Sequence, residues 1–215
     1  MSQEILLAMQ QSVSEGMPEH AADLARHALV LGIDPLTAIN DGFVPGMKDV
    51  GEKFGCGKMF LPDLMASSEA MRAAMEVLEP ELKKRGAERP ILGTVVLGTT
   101  QGDIHEIGKA LVGTLLVANG FRVHDLGANV PTDTFIAKAQ EVGAEIIGVS
   151  ALLTTTMRGQ KKVVDAAEQA GLRSRVKIMV GGAPVSRKWA EEIGADGYGK
   201  DAMSAVALAR SWVQK

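Results

Sequence analysis

A chain of 215 residues with 46% apolar content can bury real cores, as one large domain or two ordinary ones. Its formal net charge of -3, with no marked basic excess in either half, excludes the cation clusters that phosphate backbones demand. A single cysteine, Cys56, excludes an internal disulfide and suits a reducing cytoplasm. No apolar run approaches the length of a spanning helix, and residues 1–11 are short and acidic where a signal peptide would be basic, so neither membrane nor export is expected.

From the N-terminus, residues 5–13 and 21–31 carry short apolar stripes at helical spacing. Two longer stripes follow: Leu36, Ile39, Phe43, Met47, Val50 and Phe54, then Leu61, Leu64, Ser68, Met71, Met75 and Leu78. The three/four spacing buries one face per helix. Breaks at Gly16-Met17-Pro18, Gly32-Ile33-Asp34-Pro35 and Gly55-Cys56-Gly57 separate about four helices, enough for a four-helix bundle. Pro45 falls inside the third stripe and should kink it. The methionines of these helices read mostly as gap-filling core, although a surface that docks and undocks also gains from their adaptability.

Charge, Gly86 and Pro90 interrupt the pattern over residues 83–90, which read as a linker. This places the domain division at 1–88 and 89–215. Beyond it, strand candidates at 91–98, 122–126, 145–150, 176–180 and 195–198 alternate with helices. That alternation implies a parallel sheet covered on both faces, an α/β flavodoxin-like (Rossmann-like) fold with strand order 2-1-3-4-5. On that order, the loops after strands 1 and 3 flank the switch point where open sheets hold ligands.

The loop after strand 1 carries Gly102, Asp103, Ile104, His105, Glu106, Ile107 and Gly108. A histidine at a helix mouth, with a carboxylate two residues earlier to fix its ring, is equipped to ligate a metal. The helix N-terminus opposes imidazolium, which helps keep the ring neutral. The same residues also permit a reading without a ligand: Asp103 as N-cap and Asp103 with Glu106 as a capping box. His20, His27 and His124 lack a carboxylate at useful spacing, and Trp189 and Trp212 read as packing. Residues 102–109 do not make a Walker loop, and His105-Glu106 lacks the second histidine of a zinc-protease helix.

Asp-x-His-x-x-Gly at Asp103, His105 and Gly108, Ser-x-Leu at Ser150 and Leu152, and Gly181-Gly182 together resemble the cobalamin-binding signature of the B12-binding domain family. Residues 57–62, Gly-Lys-Met-Phe-Leu-Pro, resemble the helical cap over the corrinoid in methionine synthase and in the corrinoid proteins of methanol and methylamine methyltransferase systems. The resemblance implies a cobalamin or related corrinoid with His105 as lower axial ligand to cobalt, displacing the cofactor's own base. It implies a relay of Asp103 and Thr156 behind the histidine, with threonine where methionine synthase has serine. Ser150, Leu152, Thr154, Gly181, Gly182 and Ala183 would line the tunnel for the displaced base, and Phe60 would shield the upper face, with Leu64 and Met65 as core or as its neighbours.

The function so implied is a cytoplasmic methyl carrier cycling between Co(I) and methyl-Co(III), a component of a methyltransferase system and not a complete enzyme alone. Its partners would be a substrate-specific methyltransferase and one passing the methyl group to a tetrahydrofolate or a thiol, with a reductive activator as an optional third. The helical cap would have to move, hinging at the linker. Two rivals share the motifs: an adenosylcobalamin mutase subunit, and a cobalamin-binding sensor without catalysis.

Overall fold

A computed structural model describes residues 2–84 and 91–213. The chain divides into two compact units, Met1–Pro90 and Ile91–Lys215.

The first unit is helical: α1 (Ser2–Ser14), α2 (Pro18–Val30), α3 (Pro35–Thr37), α4 (Val44–Gly55) and α5 (Leu61–Lys84). A π-helical turn at Ala38–Phe43 joins α3 to α4, so the described residues form four helical runs. Asp34 starts the third run by accepting the Leu36 and Thr37 N–H groups at 3.1 and 3.3 Å. The expected disturbance by Pro45 takes the form of that π turn. The Val44 N–H reaches back to the Ile39 carbonyl, widening the helix just before a residue that has no N–H to give.

Ile39, Phe43, Met47 and Val50 are buried, with Leu64, Met71 and Leu78 of α5. Helices α2 and α5 pack on each other, and α2 buries Ala21, Ala25 and Ala28 while α5 buries Ala70 and Ala74, side chains small enough for a close approach. α4 meets α1 at Gly46, where a Cβ would lie 2.3 Å from the Gln10 carbonyl oxygen. The linker expected at 83–90 begins too early. α5 runs to Lys84, which pairs with Glu81 at 2.5 Å and suits the negative end of the helix, while residues 85–90 lie outside the described residues.

In the second unit, β1 (Thr94–Thr99), β2 (Arg122–Asp125), β3 (Ile146–Ser150), β4 (Lys177–Gly181) and β5 (Gly197–Gly199) form one parallel sheet in the order 2-1-3-4-5. Helices α7 (Thr132–Val142), α8 (Met157–Gln169) and α9 (Arg187–Glu192) pack on one face, over a core including Val96, Phe135, Ile147, Val163 and Ile178. Helices α6 (Ile107–Ala118) and α10 (Ala202–Val213) pack together on the other. The expected order is therefore present, with β1 starting three residues later than its apolar run. Its register sets Thr99, Ser150, Gly181 and Gly199 side by side at the carboxyl edge.

Asp196 fastens β5 to this sheet. Its carboxylate takes Arg173, the Ile178 N–H at 2.8 Å and Lys177 at 3.1 Å. Burial pushes its pKa up, but the hydrogen bonds from Arg173, Ile178 and Lys177 outweigh that and hold it below the ordinary value. A carboxylate depressed on folding contributes stability above its unfolded pKa of about 4, and that contribution is lost as pH falls through the folded value. Asp196→Asn should therefore cost about 1–2 kcal/mol at neutral pH in urea unfolding, and the gap to wild type should close on acidification below about pH 4. A gap constant across that range would contradict the assignment.

Candidate functional site

The loop between β1 and α6 is folded around Asp103. Residues 100–103 make a turn in which the Asp103 N–H donates to the Thr100 carbonyl at 3.1 Å. Gly102, at φ +85°, supplies the left-handed third position of a type II turn. Asp103 is fully buried, and its carboxylate is surrounded by donors. Oδ1 accepts the His105 N–H at 3.1 Å and faces His105 Nδ1 at 2.7 Å. Oδ2 accepts the Leu152 N–H at 2.7 Å, the Leu153 N–H at 3.3 Å and the Thr156 hydroxyl at 2.7 Å.

These contacts correct one local reading. Asp103 is not the N-cap of α6 and forms no capping box with Glu106, because α6 begins four residues later at Ile107, and Glu106 at its cap position makes no side-chain capping bond. The carboxylate is instead filled by His105 and by residues about fifty positions away. Burial raises its pKa, yet the hydrogen bonds from Thr156, Leu152 and His105 together hold it far below the usual carboxylate range.

An ionised carboxylate can only accept, so His105 Nδ1 carries a proton, and in the neutral ring Nε2 is the nitrogen with the lone pair. Nε2 makes no hydrogen bond among the described residues, and the side chain is 45% exposed. The Thr99 hydroxyl donates to the His105 carbonyl at 3.0 Å and holds the backbone from the other side. Ile104 and Ile107, both more than 70% exposed, line a cavity together with His105 and the exposed Leu152, while Leu153, whose N–H also bonds Asp103, is exposed beside it in the chain. An apolar collar this open marks a binding surface.

Beside His105 lies a cavity of about 710 Å³ between the sheet and helices α6 and α10. Its floor is one face of the sheet, where β3, β4 and β5 contribute Gly148, Ser150, Gly181 and Gly199. Leu97 and Met179 flank it in the row beneath: a Cβ on Gly148 would lie 2.6 Å from Leu97 Cδ1 and 3.9 Å from Met179 Cε. Glycine and serine at alternate positions leave a trench where side chains would otherwise stand.

Of the residues singled out from sequence, the 104–108 segment, Ser150, Leu152, Gly181, Gly182 and Ala183 line this cavity. Asp103 and Thr156 are buried behind His105, and Gly102 sits at the turn. Thr154 is exposed on the loop and is not part of the lining, and Phe60, in the helical unit, is 69% exposed. Gly182 answers to the fold before any ligand. At φ +123°, a Cβ there would lie 1.8 Å from the Ala151 carbonyl oxygen.

Sequence reasoning missed Gly148, Met179, Gly199, Lys200, Ala202 and Ala205. The two-residue spacing in Gly148-x-Ser150 and Gly197-x-Gly199 was the available signal. It also missed Lys109, whose buried ammonium pairs with Asp125 under the first turn of α6. Trp189 does more than pack: Nε1 donates to Gln160 Oε1 at 2.9 Å. The same amide's Nε2 ties the Val149 and Gly181 carbonyls at 2.9 and 3.0 Å, bracing the trench edge.

Among the described residues, no cluster of three or more His, Cys, Asp or Glu is placed to hold a metal ion. A lone available imidazole suits a metal that brings its other ligands in a macrocycle, and the collar and trench suit a flat ring with a long arm. The residues present thus fit a corrinoid. The B12 binding domain family matches residues 93–207, and a second B12 binding domain pattern matches residues 6–79. Trimethylamine corrinoid protein 1 of Methanosarcina acetivorans is 48% identical over 209 residues, 97% of each chain. The dimethylamine corrinoid protein of Methanosarcina barkeri is 48% identical over 178 residues, 83% of each. In the crystal structure of the methanol:cobalamin methyltransferase complex of Methanosarcina barkeri, a chain 31% identical superposes with a TM-score of 0.88, covering 98% of this chain and 80% of that one.

Gly108 lines the cavity, and a Cβ added to it would meet nothing within 4 Å, so the fold can accept a side chain there. Gly108→Leu should keep the thermal midpoint of the cofactor-free protein and weaken cobalamin binding at least about tenfold, by filling the trench mouth. Unchanged affinity in equilibrium dialysis would place the ligand elsewhere.

Proposed function

This chain belongs to the B12-binding domain family, and on that premise we propose that it is a corrinoid methyl carrier of a methylamine- or methanol-type methyltransferase system. Its cofactor is of the cobalamin class. His105 would hold the cobalt from below through Nε2, and the trench would take the cofactor's own base. The observation that carries this reading is an imidazole whose Nδ1 is fixed by a buried carboxylate while Nε2 stays available. When bound, the corrinoid supplies a cobalt that alternates between Co(I) and methyl-Co(III) and so moves a methyl group from one partner to another.

The chain's own residues do the rest. Asp103 fixes the His105 tautomer and ring plane. Thr156 helps hold Asp103. Its hydroxyl has one proton for two acceptors, Asp103 Oδ2 at 2.7 Å and the Leu153 carbonyl at 2.8 Å. Turning that hydroxyl toward the Leu153 carbonyl takes one donor away from Asp103 without moving the backbone. A metal held at Nε2 would occupy the lone pair that a proton would otherwise take.

Ser150, Leu152 and Gly181 line the trench; there Ser150 would offer a hydroxyl to the base, Leu152 an apolar wall, and Gly181, with no side chain, room for the arm close to the sheet. Residues 1–88 would form the cap domain, with Phe60 as shield of the methyl group, and residues 89–215 the cobalamin domain. The names of the relatives support methyltransferases as partners, one specific for the methyl donor and one delivering to a tetrahydrofolate or a thiol, with reductive activation as a further service. The chain alone would then be a component of an enzyme system. Among the described residues no helix is long and apolar enough to cross a membrane.

His105→Ala, loaded with methylcobalamin, should shift its visible spectrum toward the form lacking a lower nitrogen ligand, and methyl turnover with partner enzymes should slow. A spectrum unchanged by the substitution would remove His105 as ligand.

A further inference from the structure

Asn129, in the connection between β2 and α7, has φ +54° and is the one non-glycine residue with positive φ among those described. A left-handed backbone is costly with a Cβ and is tolerated best by Asn and Asp. Asn129 is exposed, so no core packing accounts for it. Its hydrogen bonds do. The Asn129 N–H donates to the Asp103 carbonyl at 2.8 Å, and Asn129 Oδ1 accepts the Gly102 N–H at 2.8 Å. One residue therefore grips two consecutive residues of the loop that carries His105.

The surrounding backbone extends the grip. Thr99 donates to the Gly127 carbonyl at 3.0 Å and Val130 to the Thr99 carbonyl at 2.9 Å, while Thr100 and Val130 form a parallel bridge. The connection thus runs alongside residues 99–103 past the end of β1. The Gly102 N–H lies in the middle of the turn, and the Asn129 side chain is the acceptor that meets it. On the far side of the same turn, the Asp103 carboxylate holds both the amide and the ring of His105.

We propose that Asn129 is a positioning residue for the His105 ligand: by clasping Gly102 and Asp103 from the β2–α7 connection, it sets the orientation in which Asp103 presents the imidazole. This rests on the reading of His105 as the cobalt ligand. Asn129 touches no reacting atom, and its effect reaches the ring only through Asp103. A purely structural role would alter the stability of the connection without altering the ligand equilibrium.

Two variants separate these. Asn129→Gly keeps a residue at ease at φ +54° but removes the acceptor, and Asn129→Asp keeps both. In the cofactor-free full chain, hydrogen exchange followed by NMR should show the Gly102 and His105 amides exchanging several-fold faster in Asn129→Gly, and near wild-type rates in Asn129→Asp. Faster exchange at Gly102 with His105 unchanged would overturn the proposal. With methylcobalamin at saturation, the ratio of ligated to unligated cofactor read from the visible spectrum should fall about threefold or more in Asn129→Gly, as expected for loss of one hydrogen bond, and recover in Asn129→Asp. An unchanged ratio, or no recovery with aspartate, would also overturn it. His105→Ala supplies the unligated reference. If wild type itself matches that reference, the ligation reading has failed, and the exchange rates alone decide whether Asn129 orders the loop.

Discussion

The candidate site depends on one buried carboxylate. Asp103 has no solvent exposure, and its two oxygens meet three backbone N–H groups, one hydroxyl and one imidazole N–H. A charge taken out of water must be matched by donors or it neutralises itself, and here the donors come from two loops that are distant in the chain. Satisfying the carboxylate therefore joins the β1–α6 loop to the β3–α8 loop. The same bonds decide which nitrogen of His105 carries the proton. The orientation of the His105 ring and the architecture of both loops are thus set by one group.

Around that group the sheet supplies a second constraint, which is empty space. A parallel sheet covered by helices ordinarily fills both faces with branched side chains, and the α7–α9 face does so. On the face toward α6 and α10, Gly148, Ser150, Gly181 and Gly199 leave the floor bare. Burial forgone here has to be offset elsewhere: the Gln160–Trp189 brace holds the thinned carboxyl edge, while the Asp196 bonds to Arg173, Lys177 and Ile178 fasten β5 at the opposite, amino end of the sheet.

The strand order and the loop that carries Asp103 and His105 are legible in the sequence because their signals are local and periodic. Apolar runs alternate with helical stripes, and Asp103 and His105 stand two residues apart. The start of α6 is not, because Asp103 has the chemistry of an N-cap, and only the fold reveals that Leu152 and Thr156 occupy its oxygens. The π turn before Pro45 is hidden for a related reason: proline announces a disturbance, whereas the hydrogen-bond shift that absorbs it is fixed by packing. Lys109–Asp125 and Asn129–Gly102 join residues whose separation carries no periodic mark. The trench is half visible, since Gly181 and Gly182 stand out by their adjacency, while the informative spacing is two.

The central claim is a bond from His105 Nε2 to cobalt, and electron paramagnetic resonance of the Co(II) cofactor on the full chain reads the ligand nucleus directly. Natural-abundance nitrogen splits the cobalt lines into triplets, and protein grown with ¹⁵N-histidine and loaded with unlabelled cofactor should convert them to doublets. Triplets that persist with labelled histidine would mean that the cofactor's own base remains the ligand, and the account would be wrong at its root.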